Sequence, residues 1–268
     1  MLLMKRLFLT GALSLFVAST YAANGLVVTM KTTTGASSVT SQIEMDANHM
    51  RAQMAGRGGD QNGFIFDGTK QAMYIIDDSK KTYSEITKED LDRLAAQMQS
   101  AMASIPPEQR AQVEAMMRGR GGRGIPGMPT AAAKPTFKKT GTDKVGKWTC
   151  DKYEGYEGEK KTTEVCTVPT SALGLSDKDF AVSKDFAKFF SSLMPQRSSE
   201  IFSLGSLEDR GYPGVPVRTI RFGADGSAQT TVEVSDISHQ NIPDSTFAPP
   251  SGYAKQDVGF GRGRRGGL

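Results

Sequence analysis

Residues 81–94 read Lys81-Thr82-Tyr83-Ser84-Glu85-Ile86-Thr87-Lys88-Glu89-Asp90-Leu91-Asp92-Arg93-Leu94, and the apolar period changes inside this stretch. Up to Ile86 it has the composition of a strand. Thr87 to Asp90 then matches a capping box with Asp in place of Glu. Beyond it Leu91, Leu94, Met98, Met102 and Ile105 recur at the three- and four-residue steps of a helix.

Working outward, residues 25–86 read as β. Residues 26–30 are β-rich, Val39, Ser41, Ile43 and Met45 alternate with polar neighbours, and residues 48–54 form a weaker run. Phe64-Ile65-Phe66, then Asp67-Gly68, then Met73-Tyr74-Ile75-Ile76 spell a hairpin. Downstream, Pro106-Pro107-Glu108 opens a second helix. Residues 118–135, rich in Gly, Pro and Ala, read as a linker. Residues 136–168 return to β. Ser176 to Asp179 then caps a third helix with an apolar stripe through Phe180, Phe186, Phe189 and Phe190. Residues 215–222 and 229–237 are strands around Ala224-Asp225-Gly226. Strands do not alternate one by one with helices, so the class is α+β with an antiparallel sheet.

The ends carry different signals. Lys5 and Arg6, a mostly apolar run over residues 7–18, and Thr20-Tyr21-Ala22 make a secretory signal peptide over residues 1–22, cut before Ala23. The run is shorter than the ~20 residues of a spanning helix, no Cys follows it for lipid attachment, and no later segment is apolar enough to span. The mature chain is therefore expected to be exported and soluble, periplasmic in a bacterium. Residues 23–258 form its folded domain, and residues 259–268 a disordered Gly/Arg-rich tail.

With 268 residues and 38% hydrophobic content, the chain builds one or two cored domains. Its net charge is +4. Loss of Lys5 and Arg6 with the leader leaves 31 basic against 29 acidic residues, a balance that names no partner. Export also makes nucleic acid an unexpected partner for the arginines among glycines at Arg57, Arg118, Arg120, Arg123, Arg262, Arg264 and Arg265.

Cys150 and Cys166 are the only cysteines. Strand-like residues flank Glu157-Gly158-Glu159, read as a three-residue hairpin loop. Reflection about Gly158 sets Cys150 opposite Cys166, where a structural disulfide fits both geometry and compartment.

Chemistry is sparse. Three literal G-x-G-x-x-G matches, beginning at Gly119, Gly122 and Gly261, lack the strand-to-helix context that phosphate binding needs. His49 and His239 are isolated, and Asp236 three residues before His239 is a weak pairing. There is no G-x-S-x-G elbow. The expectation is therefore no catalytic residues, no metal, no cofactor and no enzyme.

Ile105-Pro106-Pro107-Glu108-Gln109-Arg110 with Met116-Met117, the segment Lys81 to Ile86, and the hairpin from Trp148-Thr149-Cys150 to Cys166 resemble an exported bacterial domain family of unknown function. That family stands near the outer-membrane lipoprotein carrier and lipoprotein-receptor folds. The ending Ile242-Pro243-Asp244-Ser245-Thr246-Phe247-Ala248-Pro249-Pro250-Ser251-Gly252-Tyr253 is similar to the closing strand of such carriers. The resemblance implies an open antiparallel β half-barrel wrapped around helices, lipoprotein-carrier-like, with an apolar cavity between sheet and helices. Met98, Met102, Phe186, Phe189 and Phe190 are the residues expected to face it. Two functions follow: a periplasmic carrier or sensor sheltering an acyl lipid or lipoprotein, or an envelope protein–protein interaction module without a small ligand.

Overall fold

The computed structural model describes residues 22–55, 61–104, 106, 135–191 and 210–257. Of the expected leader, second helix and linker only Ala22, Pro106 and Pro135 fall within these; the tail and the arginines among glycines lie outside.

Twelve strands form one sheet. They are β1 (Ala22–Thr34), β2 (Ser37–Met45), β3 (His49–Ala55), β4 (Gln61–Asp67), β5 (Ala72–Asp77), β6 (Thr82–Thr87), β7 (Thr136–Val145), β8 (Trp148–Glu157), β9 (Lys160–Val168), β10 (Val215–Phe222), β11 (Ala228–Pro243) and β12 (Ala254–Gln256). Their order is β12-β6-β5-β4-β3-β2-β1-β11-β10-β9-β8-β7, and the two ends do not meet, so the sheet is open. Every pairing is antiparallel except β12 on β6. The α-helices among the described residues are α1 (Lys88–Ala103) and α2 (Ala181–Phe189).

Sequence order explains this arrangement. β1–β6 make one meander, and β7–β11 make a second that returns to pair β11 with β1 along its whole length, from Ala22↔Pro243 to Thr34↔Thr230. Close approach at that seam needs Gly25. A Cβ there would lie 2.4 Å from the Met45 carbonyl oxygen and 2.5 Å from Ile242 Cδ1. Two hairpins of the first meander share one loop design. Asp67 and Asp77 each accept the backbone N–H three residues on, from Lys70 at 2.9 Å and Lys80 at 3.1 Å. Each loop closes on a left-handed residue, Gln71 (φ 49°) or Lys81 (φ 50°).

Alternation along the strands gives the sheet two apolar faces. Leu26, Val28, Met45, Met50, Phe66, Met73 and Ile86 face the helices. Val27, Ile65, Ala72, Tyr74 and Ile76 face the other way, under Ile242 and Phe247. α1 starts on the expected box, with Asp90 N–H donating to Thr87 Oγ1 (3.2 Å) and Thr87 N–H to Asp90 Oδ2 (3.1 Å). Leu91 and Ala95 bury its first turns, whereas residues 96–101 are exposed. α2 follows the Ser176/Asp179 box, where Ser176 N–H donates to Asp179 Oδ2 at 2.7 Å. Its Phe180, Val182, Phe186 and Phe189 are buried on the sheet.

The disulfide forms, with Cα atoms 5.4 Å apart, but its register differs from expectation. The turn is the two-residue Gly158-Glu159, and β9 carries a bulge between Lys161 and Thr163. Gly158 takes the positive φ (63°) that the first central position of a type II′ turn requires. The two changes together set Lys152, not Cys150, opposite Cys166. Cys150 stands diagonal to its partner on the same face, within bonding reach.

A charge cluster flanks this bridge. Glu164 receives Lys161 Nζ at 2.8 Å and Lys152 Nζ at 3.3 Å, and Lys161 also reaches Glu154 at 2.6 Å. Arg218 joins Glu164 (3.6 Å) to Asp143. Burial pushes the Glu164 carboxyl up, but the lysine hydrogen bonds outweigh it and hold the group below its ordinary range. Lys161 and Tyr156 lower Glu154, and Arg218 lowers Asp143.

Two measurements check this end of the sheet. Thr162, the bulged residue, keeps its Oγ1 buried without a partner. Thr162→Val should therefore raise unfolding stability, by about 1 kcal/mol in chemical denaturation. Carboxylates with lowered folded pKa values stabilise the fold above their unfolded values and lose that contribution as pH falls. The urea midpoint should hold from about pH 7 to 5 and decline below about pH 4.5. The decline should be shallower in Glu164→Gln.

Candidate functional site

A cavity of about 440 Å³ lies against the helix-bearing face at the middle of the sheet. Its floor is β1, through Leu26, Val28 and Met30, with Ile43 of β2 on one side and Val232, Val234 and Ile237 of β11 on the other. Phe64 of β4 walls it, Leu175 and Phe180 wall it from the segment leading into α2, and Val215 does so from β10.

A bulge makes this wall continuous. Val28 pairs with Ile237, but Met30 pairs with Val234, because β11 carries one extra residue, Ser235. In a regular ladder Ser235 would stand opposite Met30 and bring a hydroxyl into the floor. Looped out, it donates to the Thr29 carbonyl at 3.1 Å, and Val234 takes the cavity position. Fully buried residues such as Leu26, Val28, Phe180 and Val215 form one part of the lining. Thr32, Ser41, Gln53 and Thr219, all half-buried, form the polar part. No described lining residue carries a charge.

Other side chains than the expected ones line this cavity. Phe186 and Phe189 are 1% and 0% exposed. Phe186 stacks on Phe64 at 5.2 Å and meets Phe66 edge-on at 5.0 Å, while Phe189 packs on Phe66 at 5.3 Å. Phe190 closes the cluster against both, 5.1 Å from each. These rings are the core that fastens α2 to β4, and Phe64 links them to the cavity. Met98 is 49% exposed on α1, and the side chain of Met102 lies outside the described residues.

Polar candidates are used structurally. His49 Nδ1 bonds Asp46 at 2.9 Å, and its ring stacks on Phe247 at 5.3 Å. His239 Nε2 bonds Asp179 at 2.9 Å, while Asp236 pairs with Lys147 at 2.7 Å, so Asp236 and His239 serve different partners. Among the described residues no three His, Cys, Asp or Glu side chains gather as metal ligands, and no helix is long and apolar enough to cross a membrane.

The molecule is thus an open sheet, antiparallel but for β12, with a central cavity whose described lining carries no charge and with its α-helices on one face. The chain belongs to the DUF4412 family, a domain of unknown function, whose model matches residues 100–253. That span runs from the end of α1 through the second meander. No curated protein matches the chain in sequence. Among solved structures it is similar to an uncharacterised conserved protein from Thermus thermophilus, at 6% identity and TM-score 0.45, over 88% of this chain and 91% of that one. It is also similar to MucB in the MucA/MucB complex of Pseudomonas aeruginosa, at 8% identity and TM-score 0.31, over 86% and 57% of the chains. A domain described as an outer membrane lipoprotein-sorting protein domain, from Vibrio parahaemolyticus, gives 9% identity and TM-score 0.23 over 83% and 88%. These likenesses are remote, and the functional reading rests on the cavity.

Substitutions separate core from surface. Phe186→Ala should lower unfolding stability by roughly 3–5 kcal/mol. Met98→Ala should stay within about 0.5 kcal/mol of the parent in the same denaturation assay.

Proposed function

We propose that this chain is an exported, periplasmic binding protein that shelters the acyl part of a lipid or lipoprotein in its central cavity. The sheet in this reading curves as a half-barrel around α2, and the protein's work is binding rather than turnover. The observation that carries the reading is the cavity's chemistry: about 440 Å³, walled by aliphatic and aromatic side chains, hydroxyls at one part and no charge among the described lining. Ligand cavities typically run from about 300 to 1,000 Å³. Each methylene taken from water contributes roughly 0.8 kcal/mol, so a chain of about ten gains on the order of 8 kcal/mol before the costs of association. The uncharged lining suits an ester- or amide-linked chain, whose polar end stays beside Thr32, Ser41 and Thr219.

The test is native mass spectrometry with lipid extraction on protein purified from an envelope fraction. A stoichiometric acyl-containing adduct is expected. Thr32→Trp and Thr219→Trp, at half-buried positions that tolerate a larger ring, should lose the adduct while keeping the parent circular dichroism spectrum. A clean apo mass that persists after incubation with envelope lipids would overturn the reading in favour of a protein–protein interaction module.

A further inference from the structure

Residues 169–180 join β9 to α2 and wall the cavity through Leu175 and Phe180. The segment folds as two short 3₁₀ turns, Thr170–Leu173 and Asp177–Phe180, whose backbone hydrogen bonds stay within it. Between them stands Gly174 at φ 67°, with nothing within 4 Å of the Cβ it lacks. Glycine is permissive on both sides of φ = 0, so the chain can turn at this joint, immediately before Leu175.

On the other side of Leu175 the chain is held. Asp179 Oδ2 accepts from the Ser176 N–H at 2.7 Å and from its hydroxyl at 2.8 Å, gripping the residue next to Leu175. Asp179 Oδ1 meets His239 Nε2 at 2.9 Å. Among the described residues this is the one hydrogen bond between residues 169–179 and the sheet. It lands beside the cavity floor, because His239 of β11 pairs with Leu26 of β1. A line of contacts therefore runs from the sheet to the wall through His239, Asp179, Ser176 and Leu175.

We propose that His239 is a positioning residue that latches this wall, and that breaking its bond to Asp179 opens the cavity to ligand exchange. Leu175 is 7% exposed, so apolar packing supplies most of the closing force and the latch adjusts the balance. A partly exposed pair of this kind is worth a change of about two- to fivefold in the open population. The proposal rests on the acyl reading only for the identity of what passes the gate.

The test compares the full chain with His239→Ala and with His239→Gln, which keeps an N–H donor at similar reach. The His239 side chain is 42% exposed, so neither change empties the core. In ligand-free protein, amide hydrogen exchange at Leu175 and Ser176 should quicken about two- to fivefold in the alanine variant. It should return towards the parent rate with glutamine and stay unchanged along β1 in both. Stopped-flow mixing with a pyrene-labelled fatty-acid methyl ester reads ligand exchange. Association and dissociation should quicken by the same factor and leave Kd near the parent value, because a gate alters rates and a contact alters affinity. Unchanged exchange at residues 175 and 176 in the alanine variant, or quickening spread equally over β1, would overturn the proposal. A weakened Kd at an unchanged association rate would make His239 a plain support of the site and overturn it as well. Failure of the parent to bind the probe would count against the acyl reading instead, and the exchange result would still decide the latch.

Discussion

The pairing of β1 with β11 holds the molecule together. Thirteen residues of β1 are matched along β11, while the other edge of β1 carries β2 from Leu26 to Thr34. Each meander can form from local hairpins, but neither alone has the floor of the cavity. Leu26 and Val28 come from one meander, Val232 and Val234 from the other. The core is therefore assembled from residues about two hundred positions apart, a topology dominated by non-local contacts.

Around that seam the two faces are closed differently. The helix face is sealed over β3 and β4 by the rings of α2, with Ser183 Oγ set 3.4 Å from Met45 Sδ. The opposite face is sealed by the chain after β11. Phe247 stacks on His49, Arg51 donates to the Thr246 carbonyl at 3.0 Å, and Tyr253 Oη donates to Asp78 at 2.8 Å. Lys255 then pairs with Glu85 as β12 covers the edge of β6. The rings of α2 cover β3 and β4 while the cavity lies over β1, β2 and β11, so one helix produces both a packed region and an unfilled one.

Much of this was legible in the sequence. The first six strands follow from β-rich composition, the alternation from Val39 to Met45 and the Asp67-Gly68 turn, and both helix starts follow from reciprocal Thr87/Asp90 and Ser176/Asp179 boxes, because those signals are local chemistry. The cysteine bridge was legible as a bond but not as a register: the bulge at Thr162 has no marker in a run of strand-favouring residues. The aromatic stripe of α2 was read as lining when it is packing. A helix that buries Phe186 and one that exposes it to a ligand have the same spacing. Val28 and Val234 look like any core valines, and only the empty space opposite them distinguishes them.

The seam also imposes an order in time. A ribosome adding about 5–20 residues per second completes β1 roughly ten to forty seconds before β11 exists. Through that interval one edge of the central strand offers unpaired N–H and C=O groups to any extended chain nearby. Lys31 and the run Thr32-Thr33-Thr34 keep that stretch polar while it waits. Under the exported reading proposed above, a chain that crosses a membrane unfolded and pairs β1 only afterwards never presents this edge as part of a half-built sheet in the compartment where it was made.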